Sequence, residues 1–144
     1  MKIKMLVVLF ALLVVEPLKV FYLPQPCSTP LPSGEVNSQT AIRQRCMEVR
    51  NIFLDSSGNP KDLEGKQLRL NFFADAEFLG TVLESGYDGS TYVWSGWIDG
   101  VVNSTFYVMY DGEFTIYASN PTKGVFIGQL ESGDRYKILE IEYQ

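Results

Sequence analysis

Histidine is absent from all 144 residues. With it go the usual general base at neutral pH, the commonest zinc ligand and every Ser-His or Cys-His nucleophile. No run of Lys or Arg occurs, and the net charge is −5 with a pI near 4.7. That balance counts against nucleic acid or anionic lipid as the main partner, because both call for a basic surface. No apolar run reaches the roughly 20 residues that a membrane-spanning helix needs. Cysteine is scarce as well, with two in the chain, and no D-x-D-x-D-G spacing offers a calcium loop.

What is present begins with a charged start, Lys2 and Lys4, running into the apolar stretch Leu6–Val15, which Glu16 and Pro17 end. A charged start before a short apolar core is the pattern of a secretory signal peptide. Because Leu18 to Leu23 is bulky and lacks a small-x-small cleavage site, residues 1–23 are expected to be a signal peptide or an uncleaved N-terminal anchor. That anchor would be the only link to a membrane, and the chain is expected to be secreted or held at the cell surface. Pro24, Pro26, Pro30 and Pro32, with small polar residues between them, predict an irregular linker over 24–41. Cys27 and Cys46 are candidates for one disulfide, worth about 3 kcal/mol through loop closure. Asn103-Ser104-Thr105 is a glycosylation sequon.

From residue 42 to 144 the pattern changes to short runs with a period near two, the mark of half-buried strands. Apolar sets share a side at Met47, Val49 and Phe53, then at Leu68, Leu70 and Phe72, then at Phe78 and Val82. They continue at Tyr92, Trp94 and Ile98, at Phe106, Val108 and Tyr110, and at Phe114, Ile116 and Ala118. Val125 and Ile127 mark a seventh run. Tyr136 and Ile138 open an eighth that Leu139 and Ile141 carry on in the other phase, which predicts a bulge or burial on both faces. Asp111-Gly112 is a two-residue hairpin signal, and Lys61 to Lys66 is the one stretch with helical character. The expected fold is all-β, an antiparallel sandwich or small barrel of about eight strands.

Several of these runs, in order, resemble a known module. They are Arg43-Gln44-Arg45, Leu68-Arg69-Leu70-Asn71-Phe72-Phe73-Ala74-Asp75, Tyr92-Val93-Trp94-Ser95-Gly96 with Ile98-Asp99-Gly100, the Asn103 to Gly112 hairpin, and Tyr136-Lys137-Ile138. Together they are similar to the propeptide-like N-terminal module that precedes the catalytic domain of bacterial reprolysin-type (adamalysin-like) zinc metallopeptidases. Cys46 departs from that pattern, and no His-Glu-x-x-His is present. The resemblance therefore implies a fold and an association with a zinc metallopeptidase, in cis or in trans, and implies no activity, metal or cofactor for this chain.

Alternation puts Trp94 and Trp97 on opposite faces, one in the core and the other free for a partner. Trp97 and Tyr107, with Arg43 and Arg45 at the linker, form the expected partner-binding set. Asp75, Glu77, Asp88, Asp99, Asp111 and Asp134 read as solvated turn acids, and no catalytic or metal-binding residue is expected. The function these signs support is a non-catalytic secreted domain that binds, inhibits or chaperones a metallopeptidase. The alternatives are a secreted β-sandwich interaction module or the front of a larger metallopeptidase.

Overall fold

The computed structural model describes residues 17–33, 35–36 and 39–142. Most of the leader lies outside that range. The chain is all-β, with no helix among the described residues and so none long and apolar enough to cross a membrane. Ten antiparallel strands form: β1 (Phe21–Gln25), β2 (Glu35–Val36), β3 (Gln39–Val49), β4 (Gln67–Phe73), β5 (Ala76–Asp88), β6 (Thr91–Ile98), β7 (Thr105–Tyr110), β8 (Phe114–Asn120), β9 (Gly124–Ser132) and β10 (Arg135–Ile141). Nine of them line up in the order β1-β3-β10-β9-β8-β7-β6-β5-β4, and β2 is a short addition to β3.

Strands β4 to β10 are a plain meander, each paired with its successor. The eight runs with a period near two are β3 to β10. The sheet curls into a nearly closed barrel, which settles the choice between sandwich and barrel. With nine alternating strands, the first and last must run the same way, so the barrel can close only through a parallel contact, the less stable kind of pairing. That seam is short. The segment leading into β1 bridges β4 in parallel at Lys19 and Arg69, with backbone bonds from Val20 N to Arg69 O and from Arg69 N to Leu18 O. Beyond it a side chain takes over. Asn71 accepts from Phe21 N through Oδ1 and donates to Phe21 O through Nδ2, both at 2.9 Å.

Val20 and Phe21 are buried in the main core, because closing the seam gives them an interior to enter. Among the described residues, β1 runs from the expected leader into the expected linker, β2 lies within that linker, and the boundary at Ile42 falls within β3.

The interior is filled with aromatic rings. Phe72 stacks on Phe126 with centroids 5.2 Å apart, and Phe21 and Phe78 pack against them. Toward the other end Phe53, Trp94 and Phe114 form a second group. Phe53 belongs to the loop after β3 and not to the strand itself. Trp94 is fully buried, and its Nε1 donates to Lys61 O at 2.8 Å.

Other expectations are corrected. Phe126 points into the barrel, while Val125 and Ile127 join Ala41, Leu139 and Ile141 in a separate cluster on the outer face. Strands β9 and β10 are thus buried on both faces, where alternation loses its phase. Lys61–Lys66 forms no helix, only a turn at Glu64 and Gly65. The Asp111-Gly112 hairpin is real, but Tyr110 pairs with Phe114, so its loop spans residues 111–113 and only Gly112 takes positive φ.

Candidate functional surface

Aromatic rings occupy the interior of the barrel, and Trp97 and Tyr107, singled out for a partner, lie on its outer face. On the outer face, Gly96 pairs with Phe106, whose ring points inward. Their successors Trp97 and Tyr107 therefore point outward. Tyr107 is opposite Ser95, which places Trp97 diagonal to it, within reach of a large side chain. Tyr107 stacks on its cross-strand partner Tyr117 with centroids 4.8 Å apart. Burial, and after it Tyr117, raises the Tyr107 pKa. Trp97 is 54% exposed, and Val102 in the adjoining turn is 82% exposed. The same turn displays Asn103 of the sequon in a left-handed conformation (φ 61°). Ser104 locks it by accepting from Ile98 N at 2.9 Å and donating to Val101 O at 2.7 Å.

Arg43 and Arg45 do not stand free at a strand start. Both lie over the ring of Phe73, with Cζ 4.0 and 5.5 Å from its centroid. Arg43 Nη2 lies 2.8 Å from Asp75 Oδ1 and 3.2 Å from Glu140 Oε1, and its guanidinium holds the Asp75 carboxyl below its ordinary range. Arg43 is thus engaged within the chain. Arg45 has no carboxylate partner among the described residues. Its Nη2 donates to Asn71 O at 2.6 Å, crossing the seam where backbone pairing has run out.

Cys27 and Cys46 are joined in a disulfide, with Cα atoms 5.2 Å apart. Beside it lies Glu131, a residue that the sequence does not single out, since Glu in Leu130-Glu131-Ser132-Gly133 looks like any turn acid. Its carboxylate accepts from Ser28 N, Thr29 N and Thr29 Oγ1 and faces Arg135 Nη1 and Lys137 Nζ at 3.6 and 3.5 Å. Burial opposes its charge, but the hydrogen bonds from Ser28 and Thr29 outweigh that and hold the carboxyl at about 2. Disulfide and carboxylate together clasp the proline-rich segment to β3, β9 and β10. Both sulfurs lie close to Glu131, yet bonded to each other they offer no thiolate to a metal.

Three of the acids do converge. Asp75, Glu77 and Asp99 border one open cleft of about 570 Å³, but each carboxylate is taken by a different partner. Asp75 pairs with Arg43, Glu77 with Lys19 and Arg69, and Asp99 accepts from Gln67 and Thr81 at 2.6 Å each. That division makes neither a metal cage nor an acid–base pair. Asn71, which closes the seam, carries no signal in the sequence: it alternates with Leu70 and Phe72 on the same side as Arg69, where a polar residue is ordinary. Among known proteins, no family model, no curated protein and no solved structure matches this chain.

Proposed function

We propose that this chain is a non-catalytic, extracytoplasmic binding module that holds a protein partner against the outer face of its barrel at Trp97. A zinc metallopeptidase is the partner to which the sequence resemblance points. The observation that carries the reading is Trp97 itself, an indole 54% exposed on strand β6 of the barrel. Exposed Val102 lies beside it, and the Tyr107–Tyr117 stack stands diagonal to it. Binding energy at protein interfaces concentrates in Trp and Tyr anchors of this kind, where little side-chain entropy is lost on docking. The absence of histidine and the separate engagement of the clustered acids support a role without chemistry of its own. The disulfide is compatible with an oxidising compartment.

The test uses the full chain and a reprolysin-type metallopeptidase from the same source, with binding read by calorimetry and inhibition by peptide cleavage. Saturable binding is expected, weakened about tenfold or more by Trp97→Ala, with the urea unfolding midpoint of the variant unchanged. Binding that ignores the substitution, or no binding at all, overturns the reading.

A further inference from the structure

Charge is unevenly divided around the barrel. All 12 Lys and Arg residues of the chain lie outside residues 76–120, the stretch that forms β5 to β8. Six acids lie inside it: Glu77, Glu84, Asp88, Asp99, Asp111 and Glu113. Glu77 is answered from the seam by Lys19 and Arg69. The other five form no ion pair among the described residues. Cations elsewhere are occupied, Arg43 by Asp75 and Glu140, and Arg135 and Lys137 by Glu131. Lys66 borders β5, where its carbonyl accepts from Val82 N, and it pairs with none of the five either.

Trp97 stands among these uncompensated acids. Its cross-strand partner on β5 is Thr81, and Thr81 Oγ1 donates to Asp99 Oδ1 at 2.6 Å. That bond places the Asp99 carboxylate on the outer face beside the indole. Gln67 Nε2 donates to its other oxygen at 2.6 Å. Both donors are neutral, so the negative charge of Asp99 stays. Two residues back along β6, Ser95 faces the same way as Trp97, with Glu84 opposite it on β5 and Tyr107 on β7. Exposed Glu84 is therefore diagonal to Trp97, on the other side of it from Asp99. Strands β5, β6 and β7 are each paired on both sides, so no backbone edge is free here and side chains must hold a partner. An apolar or acidic partner would leave these carboxylates desolvated or facing like charge, whereas a basic one complements them. Trp is also the aromatic side chain that best takes a guanidinium or ammonium on its face.

We infer that the outer face around Trp97 receives a basic segment of its protein partner. An Arg or Lys side chain lies over the indole, and neighbouring cations reach toward Glu84 and Asp99. The two carboxylates lie on opposite sides of the indole, so a run of cations fits the surface better than a single one. The inference rests on the reading of Trp97 as the partner surface and adds the partner's chemistry to it.

The experiment titrates the full, 15N-labelled chain with acetyl-tetra-arginine amide, and with the tetraglutamine and tetraglutamate peptides of the same form. It follows the two indole N–H resonances. Trp97→Ala removes one of them and so assigns it, and the other, from buried Trp94, is the internal reference. A saturable shift of the Trp97 signal is expected with the arginine peptide alone, while Trp94 stays in place. Raising the salt from about 20 mM to about 300 mM is expected to weaken binding several-fold, because exposed charges are screened. Glu84→Gln is expected to weaken it about threefold, with the near-ultraviolet dichroism of Trp94 unchanged. No shift up to about 10 mM peptide, an equal shift with tetraglutamine, or binding that ignores Glu84→Gln would overturn the inference. Failure of the peptide while a metallopeptidase still binds through Trp97 removes the basic segment and keeps the surface. Peptide binding without metallopeptidase binding does the reverse, keeping a basic partner and removing the metallopeptidase.

Discussion

Asn71 does with a side chain what a neighbouring strand does elsewhere with its backbone. At 6% exposure it is one of two buried polar residues among those described, and both of its side-chain hydrogen bonds go to Phe21. Asn71→Leu keeps the volume and removes both bonds, stranding a buried N–H and a buried C=O. A loss of about 2–4 kcal/mol is expected, read as a lower urea midpoint at unchanged slope. Glu131 makes a different prediction, in pH. Its carboxyl is depressed from 4.5 to about 2 in the folded protein, so folding favours the charged form. The stability it contributes is whole above about 4.5 and is lost as the pH falls toward 2. Urea midpoints measured between pH 5 and 2 should fall more steeply for the native chain than for Glu131→Gln. Parallel slopes would contradict the anchoring role.

Among the strands, β5 and β6 are the pair most tightly bound by shape. Their register shifts between Val82 and Glu84, and there Gly96 lies so close to β5 that a Cβ would fall 1.8 Å from Thr81 O. The contact is with backbone, which cannot swing aside. Gly96→Ala is therefore expected to cost about 3 kcal/mol or more by forcing the strands apart. Gly86, in β5 of the same pair, would meet nothing within 4 Å, so Gly86→Ala should stay within about 1 kcal/mol of neutral. Thermal unfolding of the two variants side by side decides whether crowding or backbone freedom is at stake. In the sequence Ser85-Gly86-Tyr87-Asp88-Gly89 reads as turn or loop chemistry, whereas Ser85 to Asp88 continue β5; the crowding at Gly96 comes from the neighbouring strand and has no local signal.

For the whole molecule, the segment from Leu18 to Cys27 is tied to the strands by the seam, the main core and the disulfide, so the described chain is expected to unfold as one unit. Removing residues 1–35 takes away Val20 and Phe21, the partner of Asn71, and Cys27 of the disulfide. That truncated chain is expected to lose the near-ultraviolet signal of Trp94 and to bind a hydrophobic dye; a native-like spectrum would show that the seam is dispensable. Strands β3 to β10 and their turns were legible in the sequence, as were the opposite faces of Trp94 and Trp97. Period-two burial and turn chemistry are properties of near neighbours along the chain. Strand β1 was not legible, because two buried residues between a leader-like segment and a run of prolines make no pattern. Nor was the inward face of β9, where burial on both sides erases the alternation that marks one. Closure into a barrel, the clasp around Glu131 and the reach of Arg45 across the seam to Asn71 O were decided only by the tertiary structure. Phe21 and Asn71 are 50 residues apart in sequence. No local pattern reports a contact at that separation, because its free energy is realised only once the intervening strands have folded and brought the two edges together.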